Sequence, residues 1–143
     1  MMTDYHAHGT CSCGAINIRL SLPDPIGNYQ PRQCDCDFCM QRGVNYLSDP
    51  KGQLFIDNTK PLTIDQHGSQ QAQFLSCTHC DQLVAVIIDC EEGIKGAFNA
   101  SLLNKTYTLQ QAVTVSPKKL SATEKKARWL KLWLTVTLAT PLL

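Results

Sequence analysis

Net charge is nearly absent from this sequence: 13 Lys and Arg against 12 Asp and Glu leave +1, and only 17% of its 143 residues are charged. No global field therefore draws the chain to nucleic acid or to an acidic ligand. Disorder is excluded as well, because 43% of the residues are apolar and a disordered chain needs low hydrophobicity. The opening Met-Met-Thr-Asp-Tyr-His-Ala-His-Gly lacks the basic and apolar regions of a secretory signal, so the expected setting is the cytoplasm. Long apolar runs are missing too. Trp129 to Leu143, broken by Lys131 and Pro141, is shorter than the roughly 20 apolar residues a spanning helix needs. Without repeats or low-complexity linkers, residues 1–143 are expected to form a single domain.

What the sequence does have is β periodicity. Ile16, Ile18, Leu20 and Leu22 alternate with Asn17, Arg19 and Ser21, the mark of a half-buried strand. Pro23-Asp24-Pro25 ends it. Further strands are expected at Val44–Ser48, Gln53–Asp57, Pro61–Asp65, Gln73–Ser76, Ile94–Phe98, Thr106–Gln110 and Val113–Val115, with a turn at Asp49-Pro50-Lys51-Gly52. The run Leu83–Asp89 is apolar and β-branched, which suits a strand buried on both faces. The C-terminus differs. Ser121 and Glu124 have capping-box spacing, and an amphipathic helix of about three turns should follow, with Trp129, Leu130 and Trp133 on one stripe. Residues 118–143 carry six basic side chains and one acidic, whereas residues 1–117 carry seven and eleven. The helix is expected to cover one face of the sheet; a basic surface for a partner is the other reading.

The eight cysteines carry the chemistry. In a reducing compartment clustered thiols bind metal more often than they form disulfides. Cys11-Ser-Cys13 and Cys77-Thr-His-Cys80 offer four thiolates in two tight pairs, enough for a closed, tetrahedral, structural zinc site. Buried free thiols or a redox pair are the alternatives. Cys34-Asp-Cys36-Asp-Phe-Cys39 offers three thiolates, and three protein ligands with an open fourth position are typical of catalytic zinc. A second structural site, closed by Cys90, a His or an Asp, remains open as a reading. Three thiolates leave such a zinc with net negative charge, so it should acidify water poorly and suit a thiol or a carbonyl better. Arg42 can offset that charge and hold an anionic substrate, or be an exposed surface charge. Cys90, ending an apolar strand, reads as a buried, inert thiol. His79 is expected to point outward.

These motifs, His8-Gly-Thr-Cys-Ser-Cys-Gly-Ala-Ile16, Cys34-x-Cys36-x-x-Cys39 and Phe74-x-x-Cys77-x-x-Cys80, resemble the family of glutathione-dependent formaldehyde-activating enzyme and centromere protein V. The similarity runs from about residue 8 to residue 100. It implies a mainly β, Mss-four-like zinc-bound sheet over about residues 8–117, followed by the helix and tail of 118–143. It assigns a structural zinc to Cys11, Cys13, Cys77 and Cys80, and a second, catalytic zinc to Cys34, Cys36 and Cys39. The implied activity is carbon–sulfur bond making or breaking, a lyase acting on an adduct of a small thiol such as glutathione and an aldehyde. Where the family commonly has Gly after the second motif pair, this chain has Asp81, and Asp35 stands where His is frequent. The alternative is a non-catalytic zinc β module that binds a protein or ligand.

Overall fold

Alternation makes Asn17–Leu22 a strand whose apolar side chains are buried while its polar ones face out. A computed structural model of the chain describes residues 5–34, 40–41, 43–66, 72–91, 93–103, 109–115 and 120–139, and of Cys34 the backbone alone. The fold is mainly β. Its strands are β1 (Tyr5–Thr10), β2 (Asn17–Leu22), β3 (Arg32–Cys34), β4 (Asn45–Leu47), β5 (Gln53–Asp57) and β6 (Leu62–Gln66). They continue as β7 (Gln73–Cys77), β8 (Leu83–Cys90), β9 (Gly93–Asn99), β10 (Val113–Val115) and β11 (Leu134–Leu138), with a helix, α1 (Ala122–Leu132), in the C-terminal part. Among the described residues no helix is long and apolar enough to cross a membrane.

All of these strands belong to one branched sheet, and β9 is its branch point. Along one edge β9 pairs with β8, which leads on to β7 and β6. Along the other edge it pairs with β11 through Lys95 and Gly96, then with β4 through Phe98 and Asn99. From β11 the sheet runs to β5, β2 and β1, and from β4 to β3 and β10. The wings share a core of Ile16, Ile18, Leu20, Leu54, Ile56, Leu75, Ile87 and Phe98. Six consecutive residues of β8, Leu83–Ile88, are buried, as a strand packed on both faces requires. A bulge opposite Leu75 and Ser76 leaves Val84 without a partner on β7 and turns both Val84 and Ala85 toward the larger core.

The helix begins as its capping box demands. The Glu124 N–H donates to Ser121 Oγ at 3.1 Å and the Ser121 N–H to Glu124 Oε1 at 2.9 Å, which also holds the Glu124 carboxyl below its ordinary pKa. Helix α1 covers one sheet face: Trp129 and Trp133 stack with centroids 5.0 Å apart and pack with Val44, Tyr46, Val86, Ile88 and Ala97. The buried stripe differs from the expected one. Leu130 is 39% exposed, while Leu132 packs against that cluster and Lys125 and Arg128 are half-buried on the same side. Positions 125, 128, 129, 132 and 133 fall within one face at 3.6 residues per turn, and position 130 turns away from it.

Three strands escape the periodicity. In β1 the inward residues are Ala7 and Gly9, too small to register as an apolar rhythm, yet β1 pairs along its whole length with β2. The expected tail after the helix is instead β11, inserted between β5 and β9 with Leu134 and Val136 buried. The short β3 is polar in sequence. The segment Thr106–Gln110, expected as a strand, falls largely outside the described residues, and its last two residues are not in a strand.

Because Trp133 caps α1 and abuts β11, Trp133→Ala should lower stability by about 3–5 kcal/mol. Ser121→Ala should cost only about 1 kcal/mol. Chemical denaturation of both variants should show that order, and a reversed order would mean that the helix contributes little packing.

Candidate metal centre

Two hairpin turns build the site. The first joins β1 to β2: the Cys11 N–H donates to Ile16 O at 3.0 Å and the Gly14 N–H to Cys11 O at 3.0 Å. Gly14 has φ +80, a conformation glycine adopts without steric cost. Cys11 and Cys13 thus converge by a tight turn rather than by sharing one side of an extended strand. Gly9, just ahead of them, lies against the backbone of Leu102 and Leu103; a Cβ there would come within 2.0 Å of Leu102 O. The second turn joins β7 to β8, with the Cys77 N–H donating to Gln82 O at 3.0 Å and the Asp81 N–H to Cys77 O at 2.8 Å. Asp81 has φ 62, in the left-handed region where Gly is cheapest and Asp or Asn the tolerated substitutes.

At these turns Cys11, Cys13, Cys77 and Cys80 bring their sulfurs within 4.8 Å of one another. The Cys11–Cys13 and Cys13–Cys77 Sγ separations are each 3.6 Å. A disulfide needs about 2.05 Å, so these are free thiols. A tetrahedron of sulfurs 2.3 Å from a central zinc has edges of about 3.8 Å, and the observed spacing is close to that. Cys11 and Cys77 are buried, Cys80 half-buried and Cys13 exposed, so the cluster opens on one side. Backbone donors surround it: the Ile16 N–H reaches Cys11 Sγ at 3.3 Å, the Ala15 N–H reaches Cys13, and those of Gln82 and Cys13 reach Cys80. Such donors offset the excess negative charge that four thiolates leave on a divalent ion.

A clasp that sequence spacing did not reveal ties the two turns together. Gln82 Oε1 accepts from the Ser12 N–H at 2.7 Å and from Ser12 Oγ at 2.9 Å, across 70 positions of chain. Neither residue type signals a metal site, and only the fold brings them together.

Cys80 and Cys13 are shifted in opposite directions. For Cys80, burial works against the thiolate, but the Gln82 and Cys13 N–H groups and the Cys13 and Cys77 thiols outweigh it and draw its pKa down to about 6. Cys13 is aided by the Ala15 N–H, yet desolvation and the Cys11, Cys77 and Cys80 sulfurs push it up to about 12. One thiolate therefore forms readily near neutral pH and a neighbour keeps its proton. A metal ion must displace the remaining protons.

The other candidates stand apart. Cys90 ends β8, about 23 Å of strand rise from the second turn, and its Sγ donates to Gly93 O at 3.0 Å. It is half-buried rather than buried, because β8 outruns the core at its last two residues. His79 is exposed, as expected. His6 and His8 lie exposed on β1. The backbone of Cys34 ends β3 opposite Val115 of β10; Cys36, Cys39 and Arg42 lie outside the described residues.

Comparison with protein-family models and with curated proteins finds no match. A crystal structure of a Rhodobacter sphaeroides protein from structural genomics is similar, with a TM-score of 0.51 and 22% identity, over 74% of this chain and 99% of that one. At this identity the likeness concerns the fold alone.

A metal ion held by these four thiols would couple its binding to folding. Cys77→Ser should abolish binding and leave the chain poorly folded, whereas Cys90→Ser should change neither. Affinity in the parent should fall as pH drops through about 6, where Cys80 takes up its proton. Metal titrations at pH 8, 6.5 and 5, followed by circular dichroism, check both statements; a Cys77→Ser protein that melts like its parent would refute the assignment.

Asp81→Gly relieves the left-handed conformation of the second turn and should raise stability by about 0.5–1 kcal/mol. Thermal unfolding of the metal-loaded protein measures this. A loss of stability would show that the Asp81 side chain contributes more than its backbone costs.

Proposed function

We propose that the protein is a zinc-dependent carbon–sulfur lyase of the formaldehyde-activating type, with one zinc that holds the fold and a second that meets the substrate. The observation that carries this reading is the convergence of Cys11, Cys13, Cys77 and Cys80, the four residues to which the family resemblance assigns the structural ion. An all-sulfur tetrahedral set suits zinc. The Mss-four-like assignment of the fold belongs to the same reading.

Four thiolates leave no coordination position for substrate. Reaction chemistry therefore falls to Cys34, Cys36 and Cys39, where a zinc with three thiolate ligands would supply an electrophilic seat for sulfur or carbonyl oxygen. Strand register supports a common location. Gln33, beside Cys34, pairs with Asn45 of β4; the next β4 residue, Tyr46, pairs with Asn99 of β9. Asn99 Nδ2 donates to Leu83 O at 2.8 Å, adjacent to the Gln82 that clasps the four-thiol site. The end of β3 thus lies toward the same end of the sheet. In the bond-forming direction the thiol sulfur joins the aldehyde carbon and the thiol proton passes to the carbonyl oxygen, giving a hydroxyalkyl thioether with no change of oxidation state. Such adducts form spontaneously, so the protein needs to orient the partners and stabilise modest charge.

The test is zinc counting joined to exchange spectroscopy of formaldehyde with glutathione and other small thiols. The parent should hold two zinc ions per chain and exceed the uncatalysed rate. Cys36→Ser should hold one, keep its fold and fall to background. One zinc in the parent, or two without acceleration for any thiol, would overturn the lyase and favour the non-catalytic zinc module.

A further inference from the structure

The four-thiol cluster is uneven in access. Cys11 and Cys77 are 2% and 1% exposed and Cys80 is half-buried, whereas Cys13 is exposed. A bound divalent ion holds every ligand sulfur as a thiolate, so in the loaded protein access selects the sulfur that a small oxidant meets first. Two sulfurs stand 3.6 Å from that of Cys13, those of Cys11 and Cys77. They are not equivalent. Cys11 shares one tight turn with Cys13, and its Sγ is tied back into that turn by the Ile16 N–H at 3.3 Å. A bond between these two would close a ring across a single residue and draw the Cys11 sulfur off its donor. Cys77 approaches from the other hairpin, so a bond to it leaves the first turn as it is. Gln82 holds this second pair together by hydrogen bonds. Its carbonyl accepts from the Cys77 N–H at 3.0 Å, and its Oε1 accepts from the N–H and the hydroxyl of Ser12, the residue before Cys13.

We propose that Cys13 and Cys77 form a peroxide-sensitive pair, in which Cys13 meets the oxidant, Cys77 closes a disulfide, and the metal ion is given up. The Cys13 thiolate attacks one oxygen of hydrogen peroxide; the O–O bond breaks, hydroxide leaves, and a sulfenic acid forms at Cys13. The Cys77 thiolate then attacks that sulfur, the S–O bond breaks and a second hydroxide leaves. Each sulfur gives up one electron, the peroxide takes up two, and both hydroxides end as water by taking protons from solvent. Cys11 and Cys80 are then the only thiolates left, two ligands where a structural site needs four. The new bond spans 64 positions and joins the same two hairpins as the ion, so the oxidised chain keeps a link between them. A thiol reductant restores the site. The inference rests on the four-thiol centre and not on the lyase reading.

Zinc-loaded protein is treated with one equivalent of hydrogen peroxide, with and without dimedone, which traps sulfenic acids. A chromophoric chelator reads released zinc, and mass spectrometry reads the cysteines after alkylation. Arg19 and Lys60 lie between the two turns, so trypsin puts Cys13 and Cys77 in different peptides and their disulfide appears as a cross-link. A bond between Cys11 and Cys13, or between Cys77 and Cys80, stays within one peptide. The Cys13–Cys77 cross-link should be the main disulfide among the four, with at least one zinc released for each, and dithiothreitol with added zinc should reverse both. The earliest dimedone adduct should be on Cys13. In Gln82→Ala, at equal zinc loading, the ratio of Cys13 adduct to cross-link should rise about fivefold or more, because the second sulfur is no longer held beside the first. A bond within one turn as the main product, a first adduct on another of the four sulfurs, four unmodified thiols, or an unchanged ratio in folded Gln82→Ala would each overturn the proposal. Should Gln82→Ala fold poorly, the cross-link map of the parent decides. Cross-link and zinc release in a parent without turnover would keep the pair and reject the lyase. Turnover in a parent whose four thiols resist peroxide would keep the lyase and reject the pair.

Discussion

The structure turns on the convergence of four sulfurs from two hairpin turns. Thiols as close as 3.6 Å cannot all ionise beside one another unless a cation sits among them, so the site is stable as a charged unit only with metal bound. That condition links the β1–β2 hairpin to the β7–β8 hairpin. These hairpins belong to opposite wings of the sheet, and β9, between them, pairs directly with only one. Backbone pairing joins these wings by the long route through β5, β11 and β9, and the shared core and the Gln82–Ser12 clasp join them directly. A metal ion held by the four thiols would add a second direct link.

The C-terminal segment supplies the second connection. After α1 crosses the sheet, β11 enters between β5 and β9, parallel to the first and antiparallel to the second. The last described strand is consequently interior to the sheet, and the wing of β1, β2 and β5 reaches β9 through it. Helix α1 is fixed at one end by its capping box and at the other by the burial of Trp133 and Leu134. The two tryptophans anchor the helix over Tyr46, and Arg128, next to Trp129, is half-buried.

A structural and a reactive metal make demands that one ion cannot meet together. A closed thiolate tetrahedron gives rigidity and offers no vacancy, whereas chemistry on a thiol or carbonyl needs an open position and a less saturated ion. A fold held by the first can place the second at the end of a neighbouring short strand. In the branched sheet β3 pairs with β4 and β4 with β9, and the second hairpin turn lies on the far side of β9.

Much of this was legible in the amino-acid order because it is local. Alternation in β2, the unbroken apolar run of β8, the capping box and the paired spacings of Cys11 with Cys13 and Cys77 with Cys80 each express a geometry set within a few residues. The grouping of those four thiols also followed from their chemistry and was met in the fold. Tertiary structure alone decided the remainder. β1 is a strand through its pairing with β2, and Gly9 is needed there because the backbone of Leu102 and Leu103 lies too close for a side chain. The Leu134–Leu138 alternation is present in the sequence, but its place beside β9 depends on pairing partners far along the chain. Asp81 has its left-handed backbone, Gln82 its clasp on Ser12 and Arg32 its hydrogen bond to Ser48 only once separate hairpins are packed. Local order thus determined the strands, the cap and the ligand pairs, because short-range sterics and hydrogen bonds act within a turn. Which pairs meet was decided by long-range packing, whose partners no local pattern names.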